Sequence, residues 1–543
     1  MKLGAVILRE IPQNLKMLTA MNIVSGIVTA LLLAIVGQAD GETAKSDSGI
    51  RLAVIYLLIV ALFSATNRYI LVTASQDGER LIHKLRLRLF DAVRRADLVT
   101  VETIGRAALH GVLVRDTQTL AQILPLLAIG GQQAVLLVFL AAYLAWLSPM
   151  ACAMAFGFAG LAVVVRVGRR KLFERLLRAS ATAETDVFRG LTDILRGFKE
   201  MRMSRPRAEA LVNAVAQASG EARRANIETK TQWSRNFALI ESMFYTLIGL
   251  MVFVVPLLSQ GYHEVVMPAT MAALFIVGPV GTVSFVLPMA EQAELSLSNI
   301  EEMERRLAAK AQSEPEPEPQ TTPLPRPSSI ALSNASFAYR DPDGRTVFKV
   351  GPLSAEFHAG EITFVTGGNG SGKSTMLRLL TALMPVDNGA LLVDGQAVAP
   401  ERMQDYRNLI SAIFTDYHLS RRLYGIATPA PERAHELLKQ LEMHHKVSVR
   451  DNAFSRVNLS TGQRKRLALI AARLADKPVI VLDEWAADQD PHFRAIFYEE
   501  LLPQLKAEGK IVICVTHDDR WFSHADRIYH MDEGHIEAAR RQS

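Results

Sequence analysis

Gly367-Gly368-Asn369-Gly370-Ser371-Gly372-Lys373-Ser374-Thr375 follows the apolar run Ile362-Thr363-Phe364-Val365 and leads into Met376-Leu377-Arg378-Leu379-Leu380. The stretch fits G-x4-G-K-[ST] between a strand and a helix, the setting in which a backbone cradle for phosphate is expected. Glycines let successive N–H groups close on β- and γ-phosphate oxygens. Lys373 adds a point charge and the Ser374 hydroxyl can ligate Mg2+. Gly367, Gly368, Asn369, Gly370, Ser371, Gly372, Lys373, Ser374 and Thr375 are therefore candidate nucleotide contacts, with ATP and Mg2+ as the expected cofactors.

Around this loop, short apolar strands alternate with helical segments, as in Ile362 to Thr366, Val479 to Leu482 and Ile511 to Val515. That alternation predicts an α/β core with parallel strands. Val479-Ile480-Val481-Leu482-Asp483-Glu484 reads as a buried strand ending in two carboxylates. Asp483 is placed to hold Mg2+, and Glu484 to polarise the attacking water as general base.

The bulk composition points elsewhere in the chain. Hydrophobic residues make up 49% of the 543, and the excess sits in the first 300 or so, where six apolar stretches occur: about Met17 to Val36, Leu52 to Val72, Ile123 to Leu147, Met150 to Val167, Phe237 to Leu258 and Pro268 to Met289. Each approaches the roughly 20 residues that cross a bilayer as a helix. The first exceeds a secretory h-region and is expected to be retained. Arg80, Lys84, Arg86, Arg88, Arg94 and Arg95 lie between the second and third stretches, and Arg169, Arg170, Lys171, Arg175, Arg178, Arg196, Lys199 and Arg202 between the fourth and fifth. These loops should be cytoplasmic, which puts both termini inside. The opposite connections, Asp40 to Ser48, Ser148-Pro149 and Ser259 to His263, are poor in Lys and Arg.

The net charge of +5 is concentrated beside these spans, the pattern of inner-leaflet anchoring, so no nucleic-acid partner is expected. Cys152 and Cys514 are far apart in sequence and read as small buried hydrophobes. The Pro/Glu run from Ser313 to Pro327 breaks all periodicity and reads as a tether. The expected organisation is an α-helical six-span transmembrane domain over 1–310, a linker over 311–329, and an α/β P-loop nucleotide-binding domain over 330–543.

Asn458-Leu459-Ser460-Thr461-Gly462-Gln463-Arg464-Lys465-Arg466 stands just before the helix that leads into the Asp483 strand. It resembles the LSGGQ signature of ATP-binding cassette (ABC) proteins, with Thr461 in place of the first Gly. The resemblance implies that Ser460, Thr461, Gly462 and Gln463 serve the γ-phosphate of a nucleotide held by another subunit's phosphate loop. One cassette per chain then implies a homodimer with two composite ATP sites, or a heterodimer with another half-transporter. By the same resemblance Tyr339 stacks on adenine, His517 contacts the γ-phosphate, and Trp485-Ala486-Ala487-Asp488 forms a dimer-contacting loop with Asp488 at its acidic position. Together with Glu484, His517 and Lys373 are thus the candidate catalytic residues, and Ser374, Asp483 and Thr415 the candidate metal ligands. Thr415 is a departure, since the family usually carries Gln there; its hydroxyl has less reach, and Asp416 or a water is an alternative contact.

Gly197-Phe198-Lys199-Glu200-Met201-Arg202, the run Asp483 to Pro491, and Thr516-His517-Asp518-Asp519-Arg520-Trp521-Phe522 look like the bacterial cyclic-peptide and siderophore exporters, which carry pyoverdine-type precursors, lipopeptides or small modified peptides. The resemblance implies an ATPase coupled to export across the bacterial inner membrane by alternating access. A lipid flippase and a non-transporting, ATP-sensing membrane regulator are the alternatives. Gln132, Gln133, Glu241 and Tyr245 are polar or amphipathic groups within spans and read either as pathway residues or as helix-to-helix bonds; Arg68 and Glu241 form a possible structural pair.

Overall fold

The computed structural model describes residues 12–38, 47–254, 266–311 and 324–541 apart from 342 and 344. The expected linker and the connections Asp40 to Ser48 and Ser259 to His263 lie largely or wholly outside these residues. The chain divides into two compact units, one of residues 1–94 and 105–305, the other of 95–104 and 306–543.

The first unit is helical: α1 (Pro12–Gln38), α2 (Asp47–Arg95), α4 (Thr117–Leu147), α5 (Pro149–Arg196), α6 (Arg205–Phe253) and α7 (Val266–Ala311), while the short α3 (Leu98–Ile104) groups with the second unit. Five of the described helical stretches are long and apolar enough to cross a membrane, four within α1, α2, α6 and α7 and one, Arg106–Leu147, that ends with α4. The expected fourth span, Met150 to Val167, lies in α5. The α5 start is fixed locally, with Pro149 at the first position and the Ser148 side chain accepting from the Ala151 N–H at 3.3 Å, which satisfies one of the orphan donors of a helix N-terminus. Leu57, Leu58 and Val138 are each about two-thirds exposed, a lipid-facing or partner-facing pattern that a helix in water would not keep. Inside the unit several polar groups pair across helices. Gln132 Nε2 donates to Ser25 Oγ at 2.6 Å, and the buried Asp116 accepts from Ser296 and Asn299. Gln132 is therefore a helix-to-helix bond, while no bond joins Arg68 to Glu241 among the described residues.

The second unit holds an antiparallel sheet, β1 (Ser329–Arg340), β2 (Thr346–His358), β4 (Asn388–Val393) and β5 (Gln396–Ala397) in the order β2-β1-β4-β5. A six-stranded sheet is built from β3 (Ile362–Gly367), β6 (Ile410–Ile413), β9 (Val479–Asp483), β10 (Ile511–Val515), β11 (Arg527–Asp532) and β12 (His535–Arg541) in the order β12-β11-β3-β10-β9-β6. A small hairpin pairs β7 (Val449–Arg450) with β8 (Ala453–Phe454). Strands β11, β3, β10, β9 and β6 run parallel. Such strands are covered on both faces and so lose the polar alternation of a half-exposed strand. Phe364, Ile480, Leu482, Val512 and Cys514 point into one core, and Val365, Val479, Val481, Ile513 and Val515 into the other. Cys152 and Cys514 are both buried free thiols.

Register decides where the chemistry falls. Val515 is level with both Asp483 and Val365, and Ile413 with Leu482. The phosphate loop after β3, the carboxylates at the end of β9, His517 after β10 and Thr415 after β6 thus emerge at one carboxyl-end edge of the sheet, where ligands bind in open α/β folds.

Candidate functional site: a phosphate loop facing a carboxylate pair

Gly367 closes β3 at φ 138°, and a Cβ there would lie 2.1 Å from the Met531 carbonyl oxygen, so only glycine allows the loop to leave the sheet at this point. The loop runs into α8 (Lys373–Leu380). Lys373 is buried and its Nζ donates to the Gly367 and Gly368 carbonyls at 2.9 and 2.8 Å. Burial pulls its pKa down, against the opposing pull of Glu484 and Asp483. Asp483 is 2% exposed. Its carboxylate accepts from Ser374 Oγ at 3.4 Å and from the Thr415 backbone N–H. Burial, then the charge of Glu484, raises its pKa above the ordinary carboxylate range. Two oxygen side chains side by side, one of them a buried anion short of compensating charge, fit a hard divalent cation such as Mg2+. The Thr415 and Asp416 side chains are exposed; Asp416 lies 4.0 Å from Arg378, and it is the Thr415 backbone that touches Asp483.

A fold that raises the pKa of Asp483 favours its neutral form. The destabilisation is absent below the unfolded-state pKa and grows as pH rises through the folded-state value. Asp483→Asn should therefore raise the unfolding temperature of the nucleotide-free protein at neutral pH while abolishing hydrolysis, as thermal unfolding monitored beside phosphate release would show.

Glu484 sits at φ 49°, ψ 36°, in the left-handed region, at the head of the turn Trp485–Asp488. A non-glycine residue there carries about 1–3 kcal/mol of strain, which clusters at functional sites. The turn sends its carboxylate to His517, with Glu484 Oε1 and His517 Nε2 3.0 Å apart. The αL backbone is held from below by Lys465, on α9 (Thr461–Leu474). Its buried Nζ donates to the Glu484 carbonyl at 2.6 Å and pairs with Asp488 at 2.8 Å. Trp485 Nε1 returns a bond to the Lys465 carbonyl at 2.9 Å.

Ser460 caps α9, its Oγ accepting from the Gln463 N–H at 3.5 Å. A Cβ on Gly462 would meet the Asp488 carbonyl oxygen at 2.7 Å, so this glycine permits the close passage of the Asp488 backbone. Gln489 bridges the Gly462 carbonyl and Arg466 Nε at 3.1 and 2.9 Å. Asp488 is thus engaged with Lys465 in this chain, while Asp490 caps the following turn at the Phe493 N–H and pairs with Arg466. Thr461 begins the helix and is exposed. Tyr339 is half-buried, stacked near Phe348 with centroids 6.4 Å apart, its hydroxyl 3.2 Å from Thr375 Oγ1. The residues that sequence reasoning passed over are Lys465, Arg466 and Gln489. Lys465 shares a helical face with Ala468, Leu469 and Ala472, and a lysine on an apolar stripe was the available signal.

Residues 16–280 match the model of the ABC transporter transmembrane region, and residues 350–487 that of the ABC transporter. The ATP-binding protein SyrD of Pseudomonas syringae pv. syringae is 36% identical over 298 residues, 53% of this chain and 53% of SyrD, so the chain spans about half the length of that curated relative. The energy-coupling factor transporter ATP-binding protein EcfA1 of Staphylococcus aureus (strain NCTC 8325 / PS 47) is 29% identical over 224 residues, 38% of this chain and 80% of EcfA1. A solved structure of a bacterial Atm1-family ABC exporter with ATP bound shares the fold at a TM-score of 0.78 with 16% identity, over 98% of this chain and 95% of that one. With an ABC transporter transmembrane region and an ABC transporter cassette matched in succession on one chain, the protein belongs to the ABC transporter family.

Proposed function

We propose that the chain is a half-transporter that hydrolyses ATP to export a small cyclic or modified peptide, or a siderophore precursor, across the bacterial inner membrane. The observation that carries the ATPase reading is the Glu484–His517 contact of 3.0 Å at the sheet edge shared with the phosphate loop, in a chain with membrane-length helices. Two copies, each with six spans and both termini in the cytoplasm, would form the working unit. Lys373 of one copy and Ser460 of the other would then hold the same γ-phosphate, with Tyr339 against the adenine.

In this reading Glu484 accepts a proton from the attacking water as its oxygen bonds to the γ-phosphorus and the bond to the ADP oxygen breaks. His517, beside Glu484, contacts the γ-phosphate and keeps the carboxylate aimed. Mg2+, held by Ser374 and Asp483 with Thr415 at the margin, would offset charge on the β- and γ-phosphate oxygens. The cargo class rests on the strings Gly197 to Arg202, Asp483 to Pro491 and Thr516 to Phe522. The test is ATP hydrolysis by the purified protein in lipid nanodiscs, with cyclic peptides, siderophore precursors or lipids added in turn. Stimulation by a peptide class supports the reading, whereas stimulation by lipid alone moves it to a flippase.

The α3 segment lies between α2 and α4 in sequence yet groups with the nucleotide-binding unit. Leu98 and Val99 pack against its core, and Glu102 reaches Arg378 on α8 at 3.6 Å. Because α8 begins at Lys373, this pair ties a membrane-domain connection to the phosphate loop. Arg378→Ala should cut cargo stimulation several-fold while basal hydrolysis changes little, and Arg378→Glu with Glu102→Arg should recover part of it; equal stimulation in Arg378→Ala and wild type would remove this pair from the coupling.

A further inference from the structure

Helices α6 and α7 border a cavity of about 440 Å³, within the range that holds a drug-sized ligand. Its wall is aromatic: Trp233 stacks on Phe237 at 5.8 Å and meets Phe285 edge-on at 6.1 Å. On α7, one and two turns before Phe285, Gly281 and Gly278 leave the space open, since a Cβ on either meets nothing within 4 Å. Glu241 lines the same cavity. It is exposed and makes no hydrogen bond or ion pair among the described residues. That sets it apart from Gln132 and Asp116, whose polar atoms are partnered within the unit. Arg169, which lines a neighbouring pocket and not this one, donates to Asn236 at 2.6 Å.

A carboxylate at membrane depth is costly, and such groups are kept where they meet a counter-charge or line an aqueous pathway. Glu241 stands in the first turns of the apolar stretch expected from Phe237 to Leu258, at its cytoplasmic end in the proposed orientation. Its negative charge and the faces of Trp233 and Phe237 select the same chemistry, because ring faces also attract cations. We infer that this cavity is a cargo site that takes an amphipathic peptide through a primary amine, the ammonium on Glu241 and the adjoining apolar side chains on Trp233, Phe237 and Phe285. The inference rests on the exporter reading for its direction of transport, while binding itself is testable without turnover.

The experiment uses the full chain in phosphatidylcholine nanodiscs and a cyclic hexapeptide of leucines and phenylalanines with one ornithine, beside the same peptide acetylated on the ornithine. Binding is followed by the change in tryptophan fluorescence, which should fall away in Trp233→Phe. The amine peptide should bind about tenfold or more tightly than the acetylated one, the worth of a hydrogen bond to a charged group. Glu241→Gln should erase that preference and Glu241→Asp should keep it, which separates lost charge from misfolding. Equal binding of both peptides to wild type, the behaviour of an apolar groove filled by lipid, overturns the inference, as does a preference that survives in Glu241→Gln. Hydrolysis measured on the same nanodiscs keeps the two readings apart. Turnover without discrimination sinks the cargo site alone, and discrimination without turnover sinks the exporter alone.

Discussion

Glu484→Gln should lower ATP turnover by about 10²–10⁴-fold, the range general-base catalysis supplies, while leaving ATP binding intact. The substitution keeps the shape of the side chain and its reach to His517, now 3.0 Å from Oε1, but removes the group that takes the proton. With binding retained and hydrolysis blocked, the two cassettes of the proposed dimer should stay closed on nucleotide. Prolonged incubation with ATP should therefore produce a stable ATP-retaining dimer in Glu484→Gln and none in wild type. The same result separates the transporter from an ATP-sensing regulator, in which Glu484 would be dispensable for function. Full turnover in Glu484→Gln would move the base elsewhere, with Asp483 excluded by its burial at 2% exposure and its contact with Ser374. His517→Ala should lose less, because in this geometry it aims a carboxylate that still carries the charge.

The parts of the candidate nucleotide site are legible in the amino-acid sequence because each is a short string on a named element. The turn Gly367 to Thr375 needs glycine where the backbone meets Met531, and a strand such as Val479 to Leu482 that ends in Asp483 and Glu484 delivers acids at a sheet edge. What joins the strings is register, and Val515 level with both Val365 and Asp483 cannot be read from spacing. The membrane unit is legible as apolar lengths. Gln132 and Glu241 look alike in sequence, both polar within a span, and only the fold separates one bonded to Ser25 from one facing a cavity. Thr415 shows the same limit: its side chain stands out as the departure from family pattern, while it is its backbone N–H that meets Asp483, a contact open to any residue but proline.

Lys465→Met should lower the maximal rate of hydrolysis by about 10- to 100-fold with a much smaller change in the KM for ATP, the signature of an interaction felt mainly in the transition state. Lys465 touches no part of the phosphate loop among its described bonds; it holds the Glu484 carbonyl at 2.6 Å and Asp488 at 2.8 Å. Its removal leaves the carbonyl of a left-handed Glu484 with only the longer bond from the Ala487 N–H at 3.4 Å, and the backbone can relax toward an unstrained conformation that turns the carboxylate away from His517. Because that longer bond remains, a modest loss of stability, about the 0.5–1.5 kcal/mol of one hydrogen bond, should accompany the loss of rate; the Asp488 share is small because that carboxylate is 46% exposed and screened by solvent. A purely structural role and a positioning role part in the double variant. If Lys465 acts by aiming Glu484, then Lys465→Met on top of Glu484→Gln should reduce residual turnover hardly at all, since the group being aimed is already gone. If the two losses multiply instead, Lys465 supports the cassette in general and the strained turn at Glu484 holds its shape by other means.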